Sequence, residues 1–424
     1  MKTILKFCVV SALALLSRAV VRRYSPKVVM VSGSVGKTST KDAVAAVLGT
    51  RFFVRKSEKS FNSEFGVPFT ILGAENPWNN PLAWLSVVKS ALALILLPNQ
   101  YPNMLVLEVG ADRPGDLARI LRIATPNVVV MTRTPKIPVH VEAYASPEAV
   151  WEEEFSPAYA LAAAAPLVVP ADDAYALDSA LRMPARVISY GFAEDASVRI
   201  SDSDFYEERG RVIGMQAKVC AAGERGTCVV KGSAGRVQLL PVAAALATAH
   251  AFSIPLVDAL AALEGYEPPP GRGRIFAGKN DSVVVDDSYN ASPAAVEEAL
   301  AMLKSFPHAK RRIAVLGDML ELGRYSVMEH ERIGALARDA ADVIAAVGIR
   351  ARALASVAGN REVLLFDNSR DAASALVGYV RRGDVVLVKG SQSIRTEHIV
   401  KALLADPSDT TRLARQEKKW INKS

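Results

Sequence analysis

The run Val28-Val29-Met30-Val31-Ser32-Gly33-Ser34-Val35-Gly36-Lys37-Thr38-Ser39-Thr40 leaves this chain little freedom in what it can fold into. Four apolar residues in a row read as a buried strand, the glycines as a tight turn, and the segment from near Lys41 as an amphipathic helix. A strand that hands over to a helix through such a turn aims backbone N–H groups and the positive helix end at an anion. The pattern is a phosphate cradle, with Lys37 placed for β- and γ-phosphates and Thr38 for a magnesium ion. The strict form carries glycine where Val31 stands, so this is a variant turned by Gly33 and Gly36. The competing reading, a Gly/Ser turn before a surface lysine, does not account for the strand and helix on either side.

A chain of 424 residues has room for two or three domains. Half its residues are hydrophobic and 22% charged, which excludes a disordered chain. The net charge of +7 is concentrated near the ends, at Arg22, Arg23 and Lys27 and at Arg412, Arg415, Lys418, Lys419 and Lys423. That suits an anionic substrate or a membrane surface; no nucleic-acid-binding motif accompanies it. Cys8, Cys220 and Cys228 lack metal-ligand spacing and point to a reducing compartment. Two apolar runs, Ile4–Val21 and Leu82–Leu97, are interrupted by Lys6, Arg18 and Lys89. The first, about 27 Å long as a helix, is marginal for a bilayer core. No cleavage site marks it as a signal peptide. Both runs are read as helices, either packed on the protein or lying at a membrane interface.

From Val28 to about Gly271 apolar strands (Val28–Val31, Met104–Glu108, Asn127–Met131) alternate with helical patterns such as Lys41–Leu48 and Gly115–Ile123. This predicts an α/β fold with a parallel sheet covered on both faces. Arg186–Val237, with its short alternating segments, predicts a small antiparallel elaboration, and Gln238–Leu263 a helical stretch. Pro268-Pro269-Pro270-Gly271-Arg272-Gly273-Arg274 marks a boundary. Beyond it strands at Ser282–Asp286, Arg312–Leu316, Ala341–Val347, Val363–Phe366 and Val385–Lys389 alternate with helices in a second, Rossmann-like unit. The expected division is therefore an apolar helix at 1–27, an ATP-binding domain at 28–271 and a Rossmann-like domain at 272–424. A short helix is expected in the charged tail after Ala405.

Open α/β sheets bind ligands beyond the carboxyl ends of their strands, so the strand-end residues form one set. Glu108 is a carboxylate at a strand terminus, placed for a metal facing the cradle; Asp112 and Asp116 follow it. His140 and Glu142 follow the third strand. Past the boundary, Asp286-Asp287-Ser288-Tyr289-Asn290-Ala291-Ser292-Pro293 reads as strand, acidic turn and helix start. Asp287 suits a ribose hydroxyl or a metal and Tyr289 or Asn290 an adenine edge; a capped helix start with a solvated Asp pair is the plainer alternative. Gly317-Asp318-Met319-Leu320-Glu321-Leu322-Gly323, with His330 beyond, and Lys389-Gly390-Ser391 complete the set.

In this order, over about Val28 to Leu404, these segments resemble the Mur ligase family, and within it the branch that joins D-alanyl-D-alanine to a UDP-muramoyl-tripeptide. Asn62-Ser63-Glu64-Phe65-Gly66-Val67-Pro68 is similar to its asparagine-bearing segment and His140-Val141-Glu142 to its second metal motif. The resemblance implies ATP-dependent amide formation in the synthesis of cell-wall peptidoglycan precursors. A substrate carboxylate takes the γ-phosphoryl group as an acyl phosphate, which an amino acid or dipeptide amine then displaces. It implies ATP and Mg²⁺ as cofactors, with Lys37, His140 and Glu154 catalytic and Thr38, Glu108 and His140 on the metal. The nucleotide would fall to Gly33, Ser34, Val35, Gly36, Lys37, Thr38, Ser39, Arg272, Asp287, Tyr289 and Asn290. The substrates would fall to Asn62, Ser63, Asp318, Glu321 and Lys389.

Three departures qualify the resemblance. About 27 residues precede the first strand, so the family's UDP-sugar-binding domain is expected to be absent and the acceptor to be held some other way, at the inner membrane face for instance. Glu154, preceded by Glu152 and Glu153, falls where the family has a carbamoylated lysine; its carboxylate either replaces the carbamate or the second magnesium is lost. Pro170-Ala171-Asp172-Asp173 stands where an Asn-x-Asp-Asp loop is expected, and Pro170 has no side-chain amide. The chain is expected to be a cytoplasmic monomer. A polyglutamate-type amide ligase and a catalytically weak nucleotide-binding scaffold remain as alternatives.

Overall fold

The computed structural model describes residues 2–58, 61–77 and 80–416. Lys418, Lys419 and Lys423 lie outside the described residues. Nine strands form the first sheet: β1 (Lys27–Ser32), β2 (Val54–Lys56), β3 (Met104–Glu108), β4 (Val128–Met131), β5 (Pro166–Pro170), β6 (Arg186–Gly191), β7 (Val198–Glu208), β8 (Arg211–Ala221) and β9 (Glu224–Lys231). Their order across the sheet is β2-β3-β1-β4-β5-β6-β7-β8-β9. Neighbours run parallel as far as β7, and only β7–β8 and β8–β9 pair antiparallel. The expected antiparallel elaboration is thus corrected in part. β6 continues the parallel run, and the hairpins extend the same sheet. Alternation of apolar residues reports one-sided cover, not strand direction.

The helices of this half are α1 (Lys2–Tyr24), α2 (Lys37–Leu48), α3 (Gly66–Leu72), α4 (Pro81–Leu96), α5 (Asp116–Leu121), α6 (Pro147–Tyr159), α7 (Ala174–Leu181), α8 (Leu240–Ala251) and α9 (Leu256–Leu263). β1, β3 and β4 are almost wholly buried, as continuous apolar runs require in a sheet covered on both faces. α2, α8 and α9 close one face around Val44, Leu48 and Leu246, and the other face is built on Phe69, Leu107 and Phe155. Helix α2 begins at Lys37 rather than near Lys41. Gly36, at φ +93°, turns the chain one residue earlier; the Thr-Ser-Thr sequence, a poor helix former, masks the start.

Helix α1 buries Leu13, Ser17 and Val20 and packs on α3 and α4. The Tyr24 hydroxyl donates to the Leu94 carbonyl at 2.9 Å, and the Arg23 guanidinium donates to Leu97 O at 3.1 Å. Those bonds satisfy carbonyls that the end of α4 leaves open. Among the described residues no helix is long and apolar enough to cross a membrane.

The second sheet holds β10 (Arg274–Gly278), β11 (Ser282–Asp287), β12 (Arg311–Gly317), β13 (Val343–Val347), β14 (Glu362–Phe366) and β15 (Asp384–Lys389), ordered β10-β11-β15-β12-β13-β14. All pairs are parallel except β10–β11. β10 was not foreseen: it starts directly after Gly273, and its mixed sequence has no clean periodicity. Helices α10 (Pro293–Ser305), α11 (Ser326–Ala340), α12 (Ser369–Tyr379) and α13 (Glu397–Leu403) cover the faces. A short 3₁₀ segment, Pro407–Arg412, supplies the helical turn expected in the tail.

Candidate active site

Both sheets bring the carboxyl ends of parallel strands to one cleft of about 630 Å³. One wall carries Gly36, Lys37 and Thr38 after β1, Glu108 at the end of β3 and His140 after β4; the other carries Tyr289, Asn290, Glu321 and Ser391. Gly33 sits at φ +111°, and a Cβ there would lie 2.5 Å from Thr132 Oγ1 and 2.7 Å from Thr132 O. Only glycine fits both the dihedral and the space. The N–H groups of Ser34 and Val35 donate to the Arg133 carbonyl at 3.1 and 3.3 Å, which pins the turn to the segment that leaves β4.

Starting the helix at Lys37 places Thr38 and Lys41 on one face of its first turns, toward Glu108. Thr38 Oγ1 donates to Glu108 Oε1 at 3.2 Å, and Lys41 Nζ stands 4.0 Å from Glu108 Oε2. Glu108 is buried, and among the described residues its Oε2 has no hydrogen-bond partner. Burial pushes its carboxyl pKa up, against the pull of Lys41 and Lys37. A buried carboxylate oxygen without a donor, beside a hydroxyl and a phosphate cradle, is a hard-oxygen donor set that fits Mg²⁺. Asn62 Nδ2 approaches Glu108 Oε1 at 3.5 Å.

Glu154, from α6, reaches the cradle. Its Oε2 accepts from Ser34 Oγ at 2.6 Å, and Oε1 lies 3.9 Å from Lys37 Nζ. Lys37 Nζ also donates to the Gly33 carbonyl. Burial raises the Glu154 pKa, while Lys37 and Ser34 oppose the rise. Its neighbours point elsewhere: Glu153 accepts the N–H groups of Gly115 and Leu117, and Glu152 accepts from the hydroxyls of Tyr159 and Tyr175. In the altered loop, Asp173 accepts from both the N–H and the hydroxyl of Thr134.

His140 takes a left-handed backbone, φ +65°, and bridges the two halves: Nε2 lies 3.5 Å from Asp112 Oδ1, and Nδ1 lies 3.1 Å from Glu321 Oε2. Among the described residues no group of three or more His, Cys, Asp or Glu gathers around one point. Thr38, Glu108 and His140 therefore line one cleft without forming one ligand cluster.

On the opposite wall Arg272 stacks over the Tyr289 ring, 4.3 Å to the centroid. Lys389, buried, donates to Asp287 Oδ2 at 2.6 Å and to the Asn290 carbonyl at 3.0 Å. Burial lowers the Lys389 pKa, and Asp287 opposes the fall. Ser39, Asp287 and Lys389 line an adjoining cavity together with Val35 and Arg272. Of the expected substrate contacts, Ser63 and Asp318 line neither the cleft nor the adjoining cavity. Ser63 Oγ accepts the Gly66 N–H at 3.4 Å as α3 begins, and Asp318 Oδ1 accepts the Ala351 N–H at 2.7 Å. Such short polar side chains readily bond to nearby backbone.

Two residues of the site were missed from sequence. Lys41 reads in the sequence only as a helix start, although its place four residues after Lys37 puts it on the same face. Arg133 joins the halves, its Nη1 lying 2.5 Å from Glu298 Oε1 of α10. Its position just after a strand was the only signal.

A family model of the Mur ligase middle domain matches residues 31–249, and one of the Mur ligase glutamate ligase domain matches residues 271–392. The chain is 27% identical over 403 residues to the UDP-N-acetylmuramoyl-tripeptide–D-alanyl-D-alanine ligase of Bacillus subtilis, covering 94% of this chain and 80% of that one. It is 29% identical over 427 residues to the Mycobacterium tuberculosis protein of the same name, covering 94% and 77%. Among solved structures, the MurF ligase of Thermotoga maritima in complex with ADP superposes with a TM-score of 0.74 at 26% identity, covering 93% of this chain and 83% of that one. Mycobacterium tuberculosis folylpolyglutamate synthase, complexed with ADP, shares the fold at a TM-score of 0.64 and 16% identity over 92% and 94% of the two chains.

Proposed function

The chain belongs to the Mur ligase family, and from that premise we propose that it is an ATP-dependent amide ligase of peptidoglycan-precursor synthesis, joining a D-alanyl-D-alanine dipeptide to a muramoyl-peptide carboxylate. The observation that carries this reading is the shared cleft, where the cradle of the first sheet faces Tyr289, Asn290 and Glu321 of the second. ATP would lie with its phosphates on residues 33–39 and its nucleoside toward Arg272, Asp287, Tyr289 and Asn290. The acceptor carboxylate attacks the γ-phosphorus, its P–O bond to ADP breaks, and an acyl phosphate forms. The dipeptide amine then attacks the acyl carbon, phosphate leaves with its electron pair, and the amine gives up a proton.

Within this reading Lys37 neutralises charge on the transferred phosphoryl group, and Glu154 holds Lys37 and Ser34 in place. Thr38 and Glu108 would hold Mg²⁺, which when bound draws charge from the phosphate oxygens. His140 and Glu321 join the two walls beside the acceptor's path. Asn62 stands ready to contact substrate. The division at 28–271 and 272–424, a monomeric state, a cytoplasmic site where ATP is available, and peripheral contact with the inner membrane face are parts of the same reading.

The test is ADP release with UDP-muramoyl-tripeptide and D-Ala-D-Ala, each omitted in turn. Turnover should require both. Turnover supported by glutamate in place of the dipeptide would move the chain to polyglutamate chemistry, and ATP binding without amine-dependent turnover would leave a scaffold. Lys37→Ala should cut turnover at least about 100-fold with an unchanged melting temperature; retained activity would sink the phosphate-site assignment.

A further inference from the structure

We propose that the outward faces of α1 and α4 form a docking surface for an anionic lipid bilayer. The proposal rests on the peripheral-contact part of the reading above and gives it residues. On α4, Val87 and Ala91 are buried and Trp84 packs against Phe69. The opposite side carries Leu82, Leu85, Leu92 and Leu96, exposed by 44% to 78%. With Lys89 these positions repeat at intervals of three and four, so they form one stripe along the helix. On the neighbouring helix α1, Leu15 is 67% exposed.

Two occupants suit such a surface, a second copy of the chain or a lipid interface, and the charges decide between them. Lys89 is exposed at the middle of the stripe. Pairing two copies along it, parallel or antiparallel, would set Lys89 against its own counterpart in a desolvated seam. A bilayer has no such conflict, because the lysine stem lies along the apolar surface while its ammonium reaches the headgroups. The sequence from 1 to 41 and from 76 to 107 contains no Asp or Glu. Arg18, Arg22 and Lys89 are exposed on these helices. Two acid-free helices that expose leucines together with Lys89, Arg18 and Arg22 are complementary to anionic headgroups. None of these residues is among those lining the cleft.

The full chain is floated with vesicles of phosphatidylcholine alone and with about 30% phosphatidylglycerol, a surface charge of the kind that attracts basic segments. It should rise with the anionic vesicles, stay down with the neutral ones and be released by high salt. L85S/L92S should lower the bound fraction at least about tenfold, and Arg22→Gln about fivefold. Both variants should keep the parent circular dichroism and the parent ADP release on soluble substrates. Failure to float with anionic vesicles, or parent-like flotation of L85S/L92S, overturns the surface. So does a concentration-dependent dimer that L85S/L92S abolishes. Normal turnover without flotation removes the docking surface alone; flotation without turnover removes the ligase reading alone.

Discussion

Asp286 has no solvent exposure; its Oδ1 accepts the Ser288 N–H at 3.1 Å, and among the described residues Oδ2 has no hydrogen-bond partner. Burial, the largest cause, lifts its pKa from 3.8 to about 6. A raised folded-state pKa means that the folded protein holds this proton more tightly than the unfolded chain does. The contribution to stability is therefore complete below about pH 4 and is lost as pH rises through about 6. Asp286→Asn, which cannot ionise, should gain about 2 kcal/mol relative to the parent between pH 4.5 and 7.5. Urea midpoints at the two pH values measure it; an equal difference at both would refute the burial account. Lys37, Thr38 and Glu108 were legible because each stands at a fixed offset from a glycine turn or a strand end. The placement of Asp318 and Ser63 was not legible: backbone N–H groups of distant or neighbouring residues claim their oxygens, and no local pattern announces that.

At the scale of elements, continuous apolar runs located β1, β3, β4, β11, β12 and β15, because strands covered on both faces have no polar side to interrupt them. Strands covered less completely, such as β2 and β10, carry mixed sequences and escaped notice. The join between β1 and α2 depends on Gly33, where φ is +111° and Thr132 fills the space a side chain would need. Gly33→Ala should cost about 2 kcal/mol or more and weaken ATP binding, because the turn can relieve the clash only by moving. Thermal melting and nucleotide titration together check it; a variant with parent stability and parent affinity would show that the turn tolerates a Cβ.

The two halves of the molecule meet through apolar contacts such as Phe205–Phe306 and through ion pairs, of which Arg133–Glu298 also touches the cradle, since the Arg133 carbonyl accepts from Ser34 and Val35. Both side chains are about one-third exposed, so the pair is screened and worth about 0.5–1 kcal/mol. Arg133→Ala and Glu298→Ala should each raise the KM for ATP about three- to fivefold and leave kcat less affected. The double variant should be no worse than either single one; additive losses would mean that the two residues act separately. Sequence could not show this pair, because 165 residues separate its members. Helix α4 lies with α3 in the crossover between the parallel strands β2 and β3, and the carboxyl end of β3 carries Glu108 to the cleft. The proposed lipid surface and the cleft are therefore tied through one connection of the first sheet. A chain held on a leaflet would meet any partner held on the same leaflet by a search in two dimensions instead of three.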